Sequence, residues 1–205
     1  MNSSSLTKRS AFTLVEVVIS ISVLSIVLFS MTALTITSIR SNQANINRLT
    51  AYYLAQEAVE GFRNMRDSNW MQNYSWDGSG DAVGNGLNDW GVTFDAEGFY
   101  VLSYQPGVPW ALSYALDVDL LTNPSPQLYF IEDDLENVYY VHKGGNFYDF
   151  GTYEETFYSR YIELEYPDPT KDYFEITAVV SWNEYGETRS VDVSTQLSDW
   201  REGPL

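Results

Sequence analysis

The chain has 205 residues, enough for one ordinary domain and an added segment. It carries 28 acidic against 11 basic side chains, for a formal charge of −17, with one histidine and no cysteine. This excludes disulfides, cysteine-ligated metals and multi-histidine centres, and it argues against nucleic acid as a partner, because an acidic surface displaces no counterions from phosphate.

The charge is unevenly spread. Residues 1–66 carry a net +3 and residues 67–205 a net −20. All seven prolines lie at or beyond Pro106, and the first glycine is Gly61, so nothing in the first sixty residues breaks a helix strongly. The remainder is rich in Gly, Pro, Asn, Asp and aromatics, as strands joined by turns are.

Residues 1–11 are short and polar and end in Lys8-Arg9-Ser10-Ala11. Phe12-Thr13-Leu14-Val15-Glu16 follows, then 23 uncharged residues from Val17 to Ile39, about 34 Å as a helix and long enough to cross a bilayer. From Arg40 to Arg66 the pattern turns amphipathic: Ala51, Leu54, Ala55, Ala58, Phe62 and Met65 form one apolar stripe at spacings of three and four. One continuous helix over Phe12–Arg66 is expected, its first half in lipid and its second pressed onto a domain.

Glu16 is the exception in the apolar run. A carboxylate there is costly unless it reaches the interface or meets a cation. Cleavage before Phe12 would create such a cation, an α-amino group four residues away. In a membrane-embedded copy the two can compensate; in an assembly Glu16 can instead pair with a neighbour's amine. A buried charge pair adds little stability but fixes register. Eight of the residues Val17–Ile39 bear hydroxyls (Ser20, Ser22, Ser25, Ser30, Thr32, Thr35, Thr37 and Ser38). They suit either close helix–helix contact or bonds to the helix's own i−4 carbonyls.

The run Lys8 to Val17 resembles the processing motif of type IV pilin-like proteins, which include major and minor pilins and the pseudopilins of type II secretion. The resemblance covers about the first 55 residues. It implies cleavage between Ala11 and Phe12 by a prepilin peptidase, N-methylation of Phe12, and an assembly salt bridge from Glu16 to a neighbouring subunit. It implies further partners in other pilin or pseudopilin subunits and the inner-membrane assembly machinery. The expected location is the cytoplasmic membrane in a single pass, C-terminal domain outside, and then an extracytoplasmic filament. Ala11 stands where the family usually has Gly, and Ala33 where it often has Pro. A secretory signal peptide fits less well, because the apolar core is too long and contains Glu16.

The expected domains are therefore a leader at 1–11, an apolar helix at 12–39, its amphipathic continuation at 40–66 and an acidic, aromatic-rich β region at 67–205. Trp70–Asn88 reads as a long irregular connection. Val138–Val141, Arg160–Glu165, Tyr173–Trp182 and Thr188–Leu197 read as strands, with Lys143–Asn146 as a turn and Asn183-Glu184-Tyr185-Gly186 closing a hairpin. The fold class is α+β, a long N-terminal helix packed on a C-terminal antiparallel sheet, which is also the family's layout.

Chemistry-bearing motifs are sparse. His142 reads as a surface residue at a strand end. No nucleophile elbow, phosphate loop or zinc helix is present, so a non-enzymatic subunit is expected. Asp77, Ser79 and Asp81 have the alternating spacing of a calcium loop, but its twelfth position is Asn88 rather than Glu. Asp117, Asp119 and Glu132-Asp133-Asp134 offer further hard oxygens. Asn73-Tyr74-Ser75 fits a glycosylation sequon. Tyr139, Tyr140, Tyr148, Tyr153, Phe157, Tyr158 and Tyr161 could form a binding patch, though core packing explains such residues too. Two other functions stay open: a permanently anchored extracytoplasmic binding module, and an anchored hydrolase with paired carboxylates.

Overall fold

The structure, a computed structural model, describes residues 13–71, 75–77, 96–105, 108–115, 126–132, 138–142, 154–167 and 173–199. It contains one helix, α1 (Leu14–Met71), and seven strands: β1 (Gly98–Gln105), β2 (Val108–Ala115), β3 (Gln127–Glu132), β4 (Val138–His142), β5 (Glu154–Glu165), β6 (Tyr173–Glu184) and β7 (Glu187–Ser198). The chain divides into an N-terminal unit up to Ile46 and a second unit from Asn47. The α+β class with an antiparallel sheet is as expected.

In the N-terminal unit α1 buries nothing within the chain: Leu14 to Ile39 present their apolar side chains outward. In the second unit the same helix has one buried face, made by Ala51, Leu54, Ala55, Ala58, Val59, Phe62 and Met65. The three alanines bring the helix axis close to the sheet, and Phe62 and Leu54 fill the space beside them. The helix passes Arg66, its expected end, because the buried face continues through Asn69 and Trp70. Arg66 also lies over the Trp70 ring, 4.7 Å from its centre. The irregular connection expected from Trp70 therefore starts later.

All pairings in the sheet are antiparallel, and β5 is the pivot. One edge of β5 pairs over Tyr158–Glu165 with β6, which pairs with β7. The other edge is shared: Glu154–Ser159 pair with β3, while Ile162–Leu164 pair with β1. The hairpins β3–β4 and β1–β2 thus extend the sheet from successive stretches of one strand. Alternation sets the inner face: Tyr158, Arg160, Ile162 and Leu164 of β5 and Phe174, Ile176, Ala178, Val180 and Trp182 of β6 are buried. Phe174 stacks on Trp76 at 4.9 Å, and Phe62 meets Tyr100 edge-on at 6.0 Å.

The β6–β7 hairpin closes as its turn chemistry predicts. Tyr185 and Gly186 both have positive φ, 54° and 87°. That is the mark of the two-residue loop whose twist matches its strands. The turn expected at 143–146 lies outside the described residues. β1, β2 and β3 carry no clear signal in the sequence, since their faces alternate poorly and each flanks a turn-rich stretch.

Arg160 stands where β5 changes partners. Its backbone N–H donates to Pro126 O at 2.7 Å, just before β3. Its fully buried guanidinium donates to Leu54 O (3.0 Å) and Glu57 Oε2 (2.9 Å) on α1 and to Leu102 O (2.9 Å) on β1. Beside it, the Gln127 side-chain amide donates to Tyr158 O at 3.0 Å, across the register shift between β3 and β5. A fork in a ladder leaves main-chain carbonyls without strand partners, and long donors fill that role here.

Candidate functional site: the start of the apolar helix

Thr13 precedes the first helical residue and has the side chain of an N-cap. Its Oγ1 accepts the Glu16 N–H at 3.2 Å, and its carbonyl accepts the Val17 N–H, also at 3.2 Å. Glu16 is therefore the third helical residue, and Thr13-x-x-Glu16 has the spacing of a capping box. An acidic side chain in the first turn also meets the positive end of the helix dipole. This signal lies in the sequence itself, in the Thr-x-x-Glu spacing. Glu16 itself is exposed. Ala11 and Phe12, the expected cleavage and methylation residues, lie outside the described residues.

The hydroxyls of the apolar run bond within the helix. Those of Ser20, Ser22, Ser25, Ser30, Thr32, Thr35 and Thr37 each donate to the carbonyl four residues earlier, at 2.8–3.0 Å. Of the two uses expected for them, the chain alone shows the internal one. The helix thereby keeps an apolar, self-satisfied surface long enough to span a bilayer.

The other candidates scatter. His142 is fully buried, with Nδ1 3.2 Å from Gln127 O. The surface position expected for it is wrong: His142 is the last residue of β4, paired with Leu128 of β3, and its side chain is buried. Asp77 is buried and accepts from Ser75 Oγ at 2.7 Å. Ser79 and Asp81 lie outside the described residues, as do Asn73, Asp117, Asp119, Asp133 and Asp134. Among the described residues no group of three or more His, Asp or Glu side chains could hold a metal. Of the aromatics expected to form a patch, the three whose side chains are described differ in setting: Tyr158 is core, Phe157 is exposed and Tyr161 packs edge-on to Phe99. Tyr148 and Tyr153 lie outside the described residues, and of Tyr139 and Tyr140 only the backbone is described.

A shallow cavity of about 430 Å³ is lined by Glu97, Phe99, Glu163, Glu165 and Tyr166, among others. Burial, helped by the charge of Glu165, raises the Glu163 carboxyl above the usual carboxylate range. Burial also raises the Tyr161 hydroxyl, with Glu163 adding to the effect. Glu97 is committed, its carboxylate accepting the Tyr166 N–H at 2.9 Å.

Residues 6–32 match the family model for the prokaryotic N-terminal methylation motif. No curated protein and no solved structure matches the chain. The matched segment runs from the polar leader through the capped start of the apolar helix, and that helix continues to an antiparallel sheet. The motif, together with this architecture, supports a type IV pilin-like protein.

Proposed function

We propose that the chain is a subunit, specifically a minor one, of a type IV pilus-like or type II secretion pseudopilus filament. It is made as a membrane-anchored precursor. A prepilin peptidase cuts between Ala11 and Phe12 and methylates Phe12. The apolar helix then leaves the bilayer for the filament core, with Glu16 pairing with the terminal amine of a neighbouring subunit. The observation that carries this reading is the exposed Glu16 in the capped first turn of α1, followed by the uncharged, outward-facing stretch Val17–Ile39, within the methylation motif. A carboxylate there gains from the helix dipole before assembly and has room to accept a second cation during it. The seven internally bonded hydroxyls fit a helix that changes surroundings, since none of them must find a new partner on leaving lipid. The large acidic ectodomain suits a minor subunit.

Two measurements test this. Mass spectrometry of the mature chain should show an N-terminus at methylated Phe12; an intact Met1 terminus overturns the processing step. Glu16→Ala should abolish incorporation into filaments while leaving membrane insertion and ectodomain folding unchanged. Normal incorporation of that variant would favour a permanently anchored binding module instead.

A further inference from the structure

The sheet of the second unit ends on β7, a long and regular edge. β7 pairs with β6 over Glu187–Ser198 without a register shift, and among the described residues it has no other strand partner. Glu184 and Glu187 close the two-residue hairpin as a hydrogen-bonded pair. Alternation then turns the N–H and C=O groups of Glu187, Arg189, Val191, Val193, Thr195 and Leu197 toward β6. Those of Thr188, Ser190, Asp192, Ser194, Gln196 and Ser198 point away from it. Each of these six residues is exposed. The usual guards of an edge are missing: β7 has no proline, glycine, lysine or bulge, and no charge after Asp192. β2, also an edge, is shorter, holds Pro109 and belongs to a ladder with a register shift.

We propose that β7 is a self-association edge that pairs antiparallel with β7 of a second copy. The argument is its self-complementarity. Full overlap of residues 188–198 centres on Val193. On the outer face it sets Asp192 against Ser194, Ser190 against Gln196 and Thr188 against Ser198. On the inner face it sets Val191 against Thr195 and Arg189 against Leu197, with Arg189 diagonal to Asp199 of the second copy. Within residues 188–198 no like charges face each other, and about twelve main-chain hydrogen bonds form. One residue beyond, Glu187 faces Asp199 of the second copy, with Arg189, which pairs with Glu187 at 2.7 Å, beside both. Moving the centre to Asp192 sets two carboxylates against each other in the middle of the edge, and moving it to Ser194 shortens the overlap. Overlap length and repulsion at Asp192 together favour the register centred on Val193.

The two-fold axis of such a pair is normal to the sheet, so it reverses every direction in the sheet plane, including that of helix residues 47–71 packed on it. The contact is closed and joins copies whose helices run in opposite senses. It does not join neighbours within one filament. On the filament reading proposed above, its setting is lateral contact between filaments lying antiparallel. The like net charge of the copies opposes the contact, so it strengthens as salt rises.

The chain has no native cysteine, so the register can be read by cross-linking full-length protein in detergent. Across the axis Val193 meets itself in a non-hydrogen-bonded pair with Cα atoms about 4.5 Å apart, within disulfide range. Thr188 is ten residues out of register with itself, about 34 Å away. Val193→Cys should form covalent dimers roughly tenfold more readily than Thr188→Cys, and more readily at higher salt. In the Val193→Cys background, Ser194→Asp sets carboxylates opposite each other twice and should lower dimer yield about fivefold, whereas Ser194→Lys faces Asp192 and should raise it. Equal cross-linking at positions 188 and 193, none at 193, or the same yield from the Asp and Lys variants overturns the proposal. Neither cleavage at Phe12 nor filament assembly is needed, so the result is independent of the reading above.

Discussion

The two units of this chain use one helix in opposite ways. Up to Ile46, α1 exposes its apolar side chains and satisfies its own hydroxyls. From Asn47, the helix buries a stripe and is tied to the sheet by polar contacts. Asn47 Nδ2 donates to Glu184 Oε1 at 2.9 Å, and Tyr158 Oη donates to Asn47 O at 3.1 Å. Arg63 donates to Thr195 Oγ1 at 3.2 Å. In the first unit the polar contacts are local, and in the second they are long-range. Substitutions should therefore divide: those before Ile46 leave folding alone and, on the filament reading, alter assembly, whereas core substitutions after Asn47 alter folding. All six Trp and all 16 Tyr lie beyond Asn47, so the tryptophan and tyrosine bands of near-ultraviolet circular dichroism report the second unit alone.

The largest folding effect should come from Phe62→Ala. Its ring is fully buried between helix and sheet, and its loss should cost about 3 to 5 kcal/mol in denaturant unfolding. Arg160→Met comes next. It keeps most of the volume but strips donors from Leu54 O, Leu102 O and Glu57. Glu57 can rehydrate, since its side chain is 35% exposed, so the loss should be about 2 to 3 kcal/mol. An unchanged midpoint for Arg160→Met would mean that the fork holds without its buried donor. Either variant should leave cleavage before Phe12 intact, and a variant that blocked cleavage while folding normally would break the division between the units.

These two residues also mark what could be read in advance. Phe62 was legible, because Ala51, Leu54, Ala55, Ala58, Phe62 and Met65 repeat at helical spacing and nothing else explains that stripe. Glu16 was legible as a charge without local company. The β6–β7 hairpin was legible because its loop chemistry is local. Arg160 was not. In sequence it is a charge between Ser159 and Tyr161, and only the split pairing of β5 makes its position interior. Nor was the burial of His142 legible, because a single histidine at a strand end carries no sequence signal for which face of the sheet it lies on. The capping role of Thr13 was legible from the Thr-x-x-Glu spacing, which is local.

Tyr185→Asn should move stability the other way. Tyr185 is exposed at the hairpin tip with φ of 54°, a conformation that suits Asn better than Tyr. Relief of that strain should add about 0.5 to 1 kcal/mol. No gain, or a loss, would mean that the ring makes a contact worth as much as the strain.

The smallest effect, Glu163→Gln, tests whether the cavity at the outer face adds anything to stability. The Glu163 carboxyl is raised in the folded state by burial first and by Glu165 second. A raised acid binds its proton more tightly folded than unfolded. Below the ordinary carboxylate pKa both states are protonated, and Glu163 has no net effect. As pH rises through that value, the unfolded chain loses its proton first and is favoured, so stability falls until the folded pKa is passed. Gln cannot ionise and escapes this loss. Wild type and Glu163→Gln should therefore unfold alike in acid and separate as pH rises through the carboxylate range, with the variant slightly the more stable at neutral pH. The gap should be small, because Glu163 is largely solvated and its charge well screened. If Glu163→Gln were instead less stable at neutral pH, the ionised carboxylate would have a favourable partner at this end of the sheet, and the second unit would owe part of its stability to its acidic outer face as well as its core.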